Sequence, residues 1–184
     1  SDCSDFITCC ADHLEQQLFP VKAWSTRYVA ARTQPRGSEP EIWRVLAARP
    51  NTVVTTVPPQ ANIPVLDAGE WFEFVVDGDF ELTATQPVLL GQFMASEQAP
   101  EPGLQLSDAG TGDPAFILVP PVEQFRDAYV VLTPPNFELD YVNVVAPMTA
   151  GVELNGAPVG PLDPVGTGEF GVARIEVEEG VQTV

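Results

Sequence analysis

Apolar and polar residues alternate with a two-residue period along most of this chain. In Glu70–Val76, Phe72, Phe74 and Val76 fall on one face and Trp71, Glu73 and Val75 on the other, as an extended strand requires. Similar short runs rich in Val, Phe, Tyr, Trp and Thr, each bounded by Pro, Gly, Asn or Asp, predict strands over 24–31, 41–48, 52–57, 70–76, 80–84 and 88–94. A second series is predicted over 115–119, 128–132, 141–146, 151–154 and 169–177, with a last run from Val181. The link Asp77-Gly78-Asp79 reads as a tight turn, so 70–84 is expected to be a hairpin. The stretch 95–113 has no periodicity and is dense in Glu, Pro, Gly, Ser and Asp, which predicts an exposed connection. A short helical turn is expected only around 11–17, ended by Pro20.

The two series of strands resemble each other. Pro20-Val21, Trp24 and Tyr28-Val29 recur 101 residues later as Pro121-Val122, Phe125 and Tyr129-Val130. At an offset of 99, Trp43, Val45 and Ala47 match Val142, Val144 and Ala146, and Gly69-Glu70-Trp71 matches Gly168-Glu169-Phe170. The offset returns to 101 at Phe80 against Val181, which sets Val184 opposite Thr83 and leaves Pro87–Phe93 without a counterpart. A missing strand leaves backbone groups unpaired along its groove. Three explanations are open: a chain cut short, a proteolytic end, and a strand supplied by another chain through β-augmentation.

Composition sharpens this in three ways. The 19 prolines and 14 glycines among 184 residues favour turns and short strands over helices. Eight basic against 26 acidic residues give a net charge of −18, which repels phosphate backbones and anionic lipid, so nucleic acid is an unsuitable partner. No apolar run approaches the roughly 20 residues of a membrane helix, so no membrane insertion is expected. All the cysteines, Cys3, Cys9 and Cys10, lie in the first ten residues, where they form a candidate disulfide clasp but do not staple the core. Zinc would add His13 as fourth ligand, but the spacing matches no common zinc knuckle.

Candidate chemistry is sparse. His13 is the sole histidine and has no nucleophile motif beside it, and no Gly-x-Ser-x-Gly elbow, phosphate loop or dinucleotide fingerprint occurs. Glu73, Asp77, Asp79 and Glu81 offer carboxylate pairs of the kind that run glycoside hydrolysis, yet in so acidic a chain such clustering is expected. For calcium, Asp108 and Asp113 of the loop 107–113, with Asp77 and Asp79, are the candidate oxygen ligands, though the spacing is not that of an EF-hand. The chain is therefore expected to have no catalytic residues and no obligatory cofactor.

Several long segments carry a family resemblance: HLEQQLFPVKAWSTRYVAAR at 13–32, LDAGEWFEF at 66–74, ATQPVLLGQFM at 84–94, GDPAFILVPPVEQFRDAYVVLTPPNF at 112–137 and DYVNVVAP at 140–147. These resemble the IgGFc-binding protein N-terminal domain family, in its bacterial, cell-surface branch. The resemblance implies a secreted or cell-surface module for adhesion or ligand capture. The family pattern also continues past the position of Val184 into an aromatic-rich strand.

The expected fold is all-β, with two related β-sandwich-like units in tandem behind a short N-terminal arm. The parts are an arm at 1–19, a first unit at 20–98, an acidic linker at 99–112 and a second unit at 113–184. The expected function is an extracellular, non-catalytic binding or adhesion module for a protein or glycan ligand. The alternative is a structural subunit of a surface assembly that accepts a β-strand from a neighbouring chain.

Overall fold

The computed structural model describes residues 13–100, 112–135, 137 and 139–184. Cys3, Cys9, Cys10 and Asp108 lie outside the described residues. The helical turn expected at 11–17 is absent from its described part, which runs without helix from His13 to Pro20. So short a segment does not overcome the cost of helix nucleation without a packed face. The first turn among the described residues is instead a 3-10 turn at Val21–Ala23, and the Trp24 indole donates to the Phe19 carbonyl at 2.8 Å.

Six strands form the first sheet: β1 (Ser25–Ala30), β2 (Glu41–Ala47), β3 (Val54–Val57), β4 (Trp71–Val76), β5 (Phe80–Met94) and β6 (Ala115–Leu118). The long strand β5 organises it. The arm Phe80–Ala84 pairs with β1 and β3, and the arm Val88–Met94 pairs with β2 and β6. Two expectations change here. The runs 80–84 and 88–94 form one strand through Pro87, and β4 pairs with β2 rather than forming a hairpin with β5. The reason lies in the core, where Phe74 of β4 and Trp43 of β2 meet Phe80 across the sandwich. Their ring centroids lie 5.6 and 5.1 Å from that of Phe80. Asp77–Asp79 therefore crosses between layers, and Gly78 has no positive φ.

The start of the 95–113 connection is not exposed. Gln98 and Ala99 are buried, and Ser38 donates its N–H to the Pro100 carbonyl at 3.2 Å. Beyond the connection, β6 adds to the first sheet and stacks Phe116 on Phe93 at 4.4 Å.

The second unit contains β7 (Val130–Thr133), β8 (Asp140–Pro147), β9 (Glu153–Leu154), β10 (Ala157–Pro158), β11 (Asp163–Val165), β12 (Phe170–Val177) and β13 (Gly180–Thr183). β7 pairs with β13, and a three-stranded sheet has the order β11-β12-β8. The β9–β10 hairpin closes on Asn155 and Gly156, with φ of 53° and 78°, the left-handed conformations that an Asn-Gly turn supplies. The short strands β10 and β11 escape a periodicity reading because Pro158 and Pro164 interrupt them.

The units repeat in detail. A second 3-10 turn, Val122–Gln124, follows Pro121 as the first follows Pro20. The Tyr28 hydroxyl accepts the Ser25 N–H at 3.1 Å, and the Tyr129 hydroxyl accepts the Arg126 N–H at 2.9 Å. Ala47 donates its N–H to the Glu70 carbonyl and Met148 donates its N–H to the Glu169 carbonyl, both at 2.9 Å. With Glu70 matched to Glu169, the counterparts of Trp43, Val45 and Ala47 are Val144, Ala146 and Met148, two residues beyond the sequence match. A slip of two keeps every side chain on its face, which is why alternation does not detect it.

At the last strand the slip is one residue and the face changes. Val29 pairs with Glu81 and Ala30 with Phe80, whereas Val130 pairs with Thr183 and Val131 with Gln182. Gln182, not Val181, occupies the place of Phe80. Its buried amide donates to the Glu178 carbonyl at 2.7 Å and to the Thr133 hydroxyl at 3.2 Å. Matching apolar to apolar misses a buried polar residue whose bonds are satisfied.

The units share β1. Tyr28 and Ala30 point into the first core, while Val29 points the other way, into a cluster with Val165, Phe170 and Val172. Ala31, Val122, Phe125 and Val145 pack around that cluster. Burying side chains of this size contributes about 1.5–3 kcal/mol each, so the cluster helps hold the units together.

Candidate functional site

Of the carboxylates singled out in the sequence, three serve as structural acceptors. Glu73 pairs with Arg44 at 2.6 Å. Asp79 accepts the Arg32 N–H at 2.7 Å and pairs with Arg174. Glu81 is buried and accepts the Thr167 hydroxyl and N–H at 2.7 and 3.1 Å. Asp77 and Asp113 are exposed. Among the described residues, no group of three or more His, Cys, Asp or Glu side chains is placed to hold a metal ion. His13 is exposed beside Glu15, 3.5 Å away.

Glu81 and Asp79 instead mark the seam between the units. Arg27 on β1 reaches Glu169 at 2.6 Å and Glu81 at 3.4 Å. Hydrogen bonding to Arg27 holds the Glu169 carboxyl below the usual carboxylate range, and the same contact raises Arg27 further. At the other end, the Arg32 carbonyl accepts from Asn143 Nδ2 at 3.0 Å and from Arg174 Nε at 2.9 Å. Gly166, at φ +55°, lies so close that a Cβ there would stand 2.7 Å from Glu81 Cγ.

An opening lies at Tyr129. In the first unit Tyr28 is fully buried, and its hydroxyl donates to the Val88 carbonyl on the second arm of β5. Burial pushes its pKa up to about 12. In the second unit Tyr129 is 42% exposed and lines an open cleft of about 410 Å³ with Pro120, Glu123, Phe125 and Arg126. Beside β2 runs the arm Val88–Phe93, whereas β8 pairs with β12 alone among the described residues. Because Met148 N–H points to β12, alternate residues turn the N–H groups of Tyr141, Asn143 and Val145 toward the free edge. Pro147 ends this edge, a position that tolerates a residue with no donor. The second core has smaller or polar residues at the matching positions, with Val144, Ala173 and Gln182 in place of Trp43, Phe74 and Phe80.

A second feature that strand reasoning passed over lies on the outer face of β2 and β4. The Arg44 guanidinium sits over Trp71 at 4.6 Å and over Phe93 at 4.8 Å, with Leu18 and Leu46 beside it in a shallow apolar hollow of about 230 Å³. The exposed Trp71 in an otherwise alternating strand was the available signal.

No curated protein and no solved structure matches the chain. A family model described as IgGFc binding protein matches residues 1–184, the whole chain, with its buried Tyr28 and open Tyr129 alike. The chain belongs to the IgGFc-binding protein family.

Proposed function

We propose that the chain is an extracellular, non-catalytic binding module that recognises protein by taking up an extended segment along the free edge of β8. Family membership supports the extracellular and protein-binding parts of this reading. The observation that carries the rest is the pairing of β2 with Val88–Met94 beside a β8 that has no such neighbour among the described residues. Backbone donors on an open edge give affinity to any extended chain, and side-chain pockets select among them. Here Tyr129 supplies a hydroxyl in the position where Tyr28 donates to a strand carbonyl. Small residues at Val144 and Ala173 favour an occupant with bulky core-facing side chains. Polar Asp140, Tyr141 and Asn143 along the edge oppose indiscriminate pairing. Assembly through a neighbouring chain's strand would use the same slot, with the neighbour as ligand.

The test is amide hydrogen exchange with a synthetic peptide of the sequence Gln86–Met94, and with a variant carrying Trp at the position of Leu90. Saturable protection of Asn143 and Val145, stronger with the Trp peptide and weaker in Tyr129→Phe, is the expected result. Unchanged exchange at those amides in millimolar peptide would contradict it. Protection of the same amides at every dilution in a polypeptide extended beyond Val184 would show a strand supplied within one chain, and would overturn recognition of a partner there.

A further inference from the structure

Each side of the seam between the units occurs twice in the chain, and the second occurrence is uncovered. One side is the outward face of β1, with Val29 and Ala31 flanked by Arg27 and Asp79. By the β7–β13 register, its counterpart has Val130 and Leu132 flanked by Ala128 and Val181. Val130, Leu132 and Val181 are 74%, 73% and 64% exposed. The other side is the outward face of β8 and β12, with Val145, Phe170, Val172 and Arg174. By the β2–β4 register, its counterpart has Arg44, Trp71, Glu73 and Val75, of which Trp71 and Val75 are 51% and 52% exposed.

We propose that these two free faces dock on one another between copies of the chain, head to tail, in the geometry by which the second unit already sits on the first. The residue exchanges across the seam favour this. Where Asp79 pairs with Arg174 inside the chain, the copy-to-copy contact sets Val181 against Val75. A charge pair is replaced by an apolar pair on both sides at once. Where Glu81 meets Thr167, the contact sets Thr183 against Ala68. Val130 and Leu132 present more apolar surface than Val29 and Ala31, and they meet Trp71 and the Arg44 guanidinium stacked on it. Arginine held flat on an aromatic ring packs as a largely apolar surface while keeping its charge.

Two features hold the contact in check. Glu70, the counterpart of Glu169, faces Ala128 and gains no arginine. Each copy carries a net charge of −18, so copies repel at low ionic strength. The association is accordingly weak and strengthens with salt. Because the contact is heterologous, every docked copy leaves one face free at each end, and the assembly grows as an open line rather than closing as a dimer. The free edge of β8 takes no part, so this contact is independent of strand uptake.

Sedimentation velocity of the full chain over a concentration series, at low salt and at about 0.5 M NaCl where charges are screened beyond about 4 Å, reads the association. Expected are open-ended growth that increases with salt, and a gain of about two- to fivefold in Ala128→Arg, the range of an exposed ion pair with Glu70. Val75→Asp and Leu132→Asp, both at exposed positions, should each be monomeric. Mixed together they should form a one-to-one dimer in which the β8 amides still exchange. A monomeric wild type and Ala128→Arg at about 1 mM in high salt would overturn the proposal. So would a mixture that stays monomeric, or single variants that still associate.

Discussion

Tyr28 and Tyr129 make the same local bond, each accepting the N–H three residues before it, but only Tyr28 donates onward to a strand carbonyl. Its hydroxyl is buried between the Ser25 N–H and the Val88 carbonyl, so Tyr28→Phe removes both of these bonds from a buried site. That should cost about 1–3 kcal/mol. Water can replace the Tyr129 hydroxyl, and Tyr129→Phe should cost about 0.5 kcal/mol or less. Urea denaturation of the two variants reads the difference, and equal losses would deny the asymmetry between the units.

The Arg27–Glu169 contact makes the seam sensitive to acid. Arg27 lowers the Glu169 pKa in the folded chain from its ordinary 4.5, so the contribution is fully present above that value and is lost as pH falls through the lowered one. Glu169→Gln should be less stable than the wild type at neutral pH. The gap should close as pH drops below about 4. Thermal melting from pH 7 to pH 3 follows it, and a gap that widens toward acid would contradict the assigned direction.

Gly166 and Gly168 separate backbone strain from seam packing. Both have positive φ, +55° and +83°, but only at Gly166 would a Cβ meet Glu81 and the Val57 carbonyl, at 2.7 and 2.9 Å. Gly168→Ala bears the conformational cost alone, about 1–2 kcal/mol. Gly166→Ala adds a clash with a buried carboxylate and with backbone, and should cost at least about 1 kcal/mol more. Denaturant midpoints for the pair measure the difference. Equal losses would mean that the seam yields freely at this point.

The alternation of apolar residues made the all-β fold and most strands legible, because burial of one face imposes a two-residue period directly on the sequence. Partner strands were less legible. Glu70–Ala84 carries every local sign of a hairpin, but the Phe74–Phe80 contact across the core sends β5 to β1 and β2 instead. Register was legible only to within two residues in β8, where the face is unchanged, and it failed by one residue in β13, where the buried Gln182 replaces an aromatic. The carboxylates drew attention for the charge they carry. Their actual work is to bind arginines and hydroxyls across long sequence separations, as Glu81 binds Thr167, and no local pattern encodes that. The strand without a counterpart in the repeat is the reading on which the proposed uptake beside β8 rests, while the Trp71–Arg44 face required three-dimensional placement of three separate strands.

The open edge proposed for β8 is tested most directly by residue-resolved hydrogen exchange of the chain alone, with β2 as internal reference. Ile42, Arg44 and Leu46 turn their N–H groups toward β5 and should exchange slowly, as should Val142 and Val144, which face β12. Tyr141, Asn143 and Val145 should exchange faster by at least about an order of magnitude, since exposed strand donors lack a partner. Uniform protection along β8, with Asn143 and Val145 as slow as Arg44 and Leu46, would contradict an edge open to a partner strand.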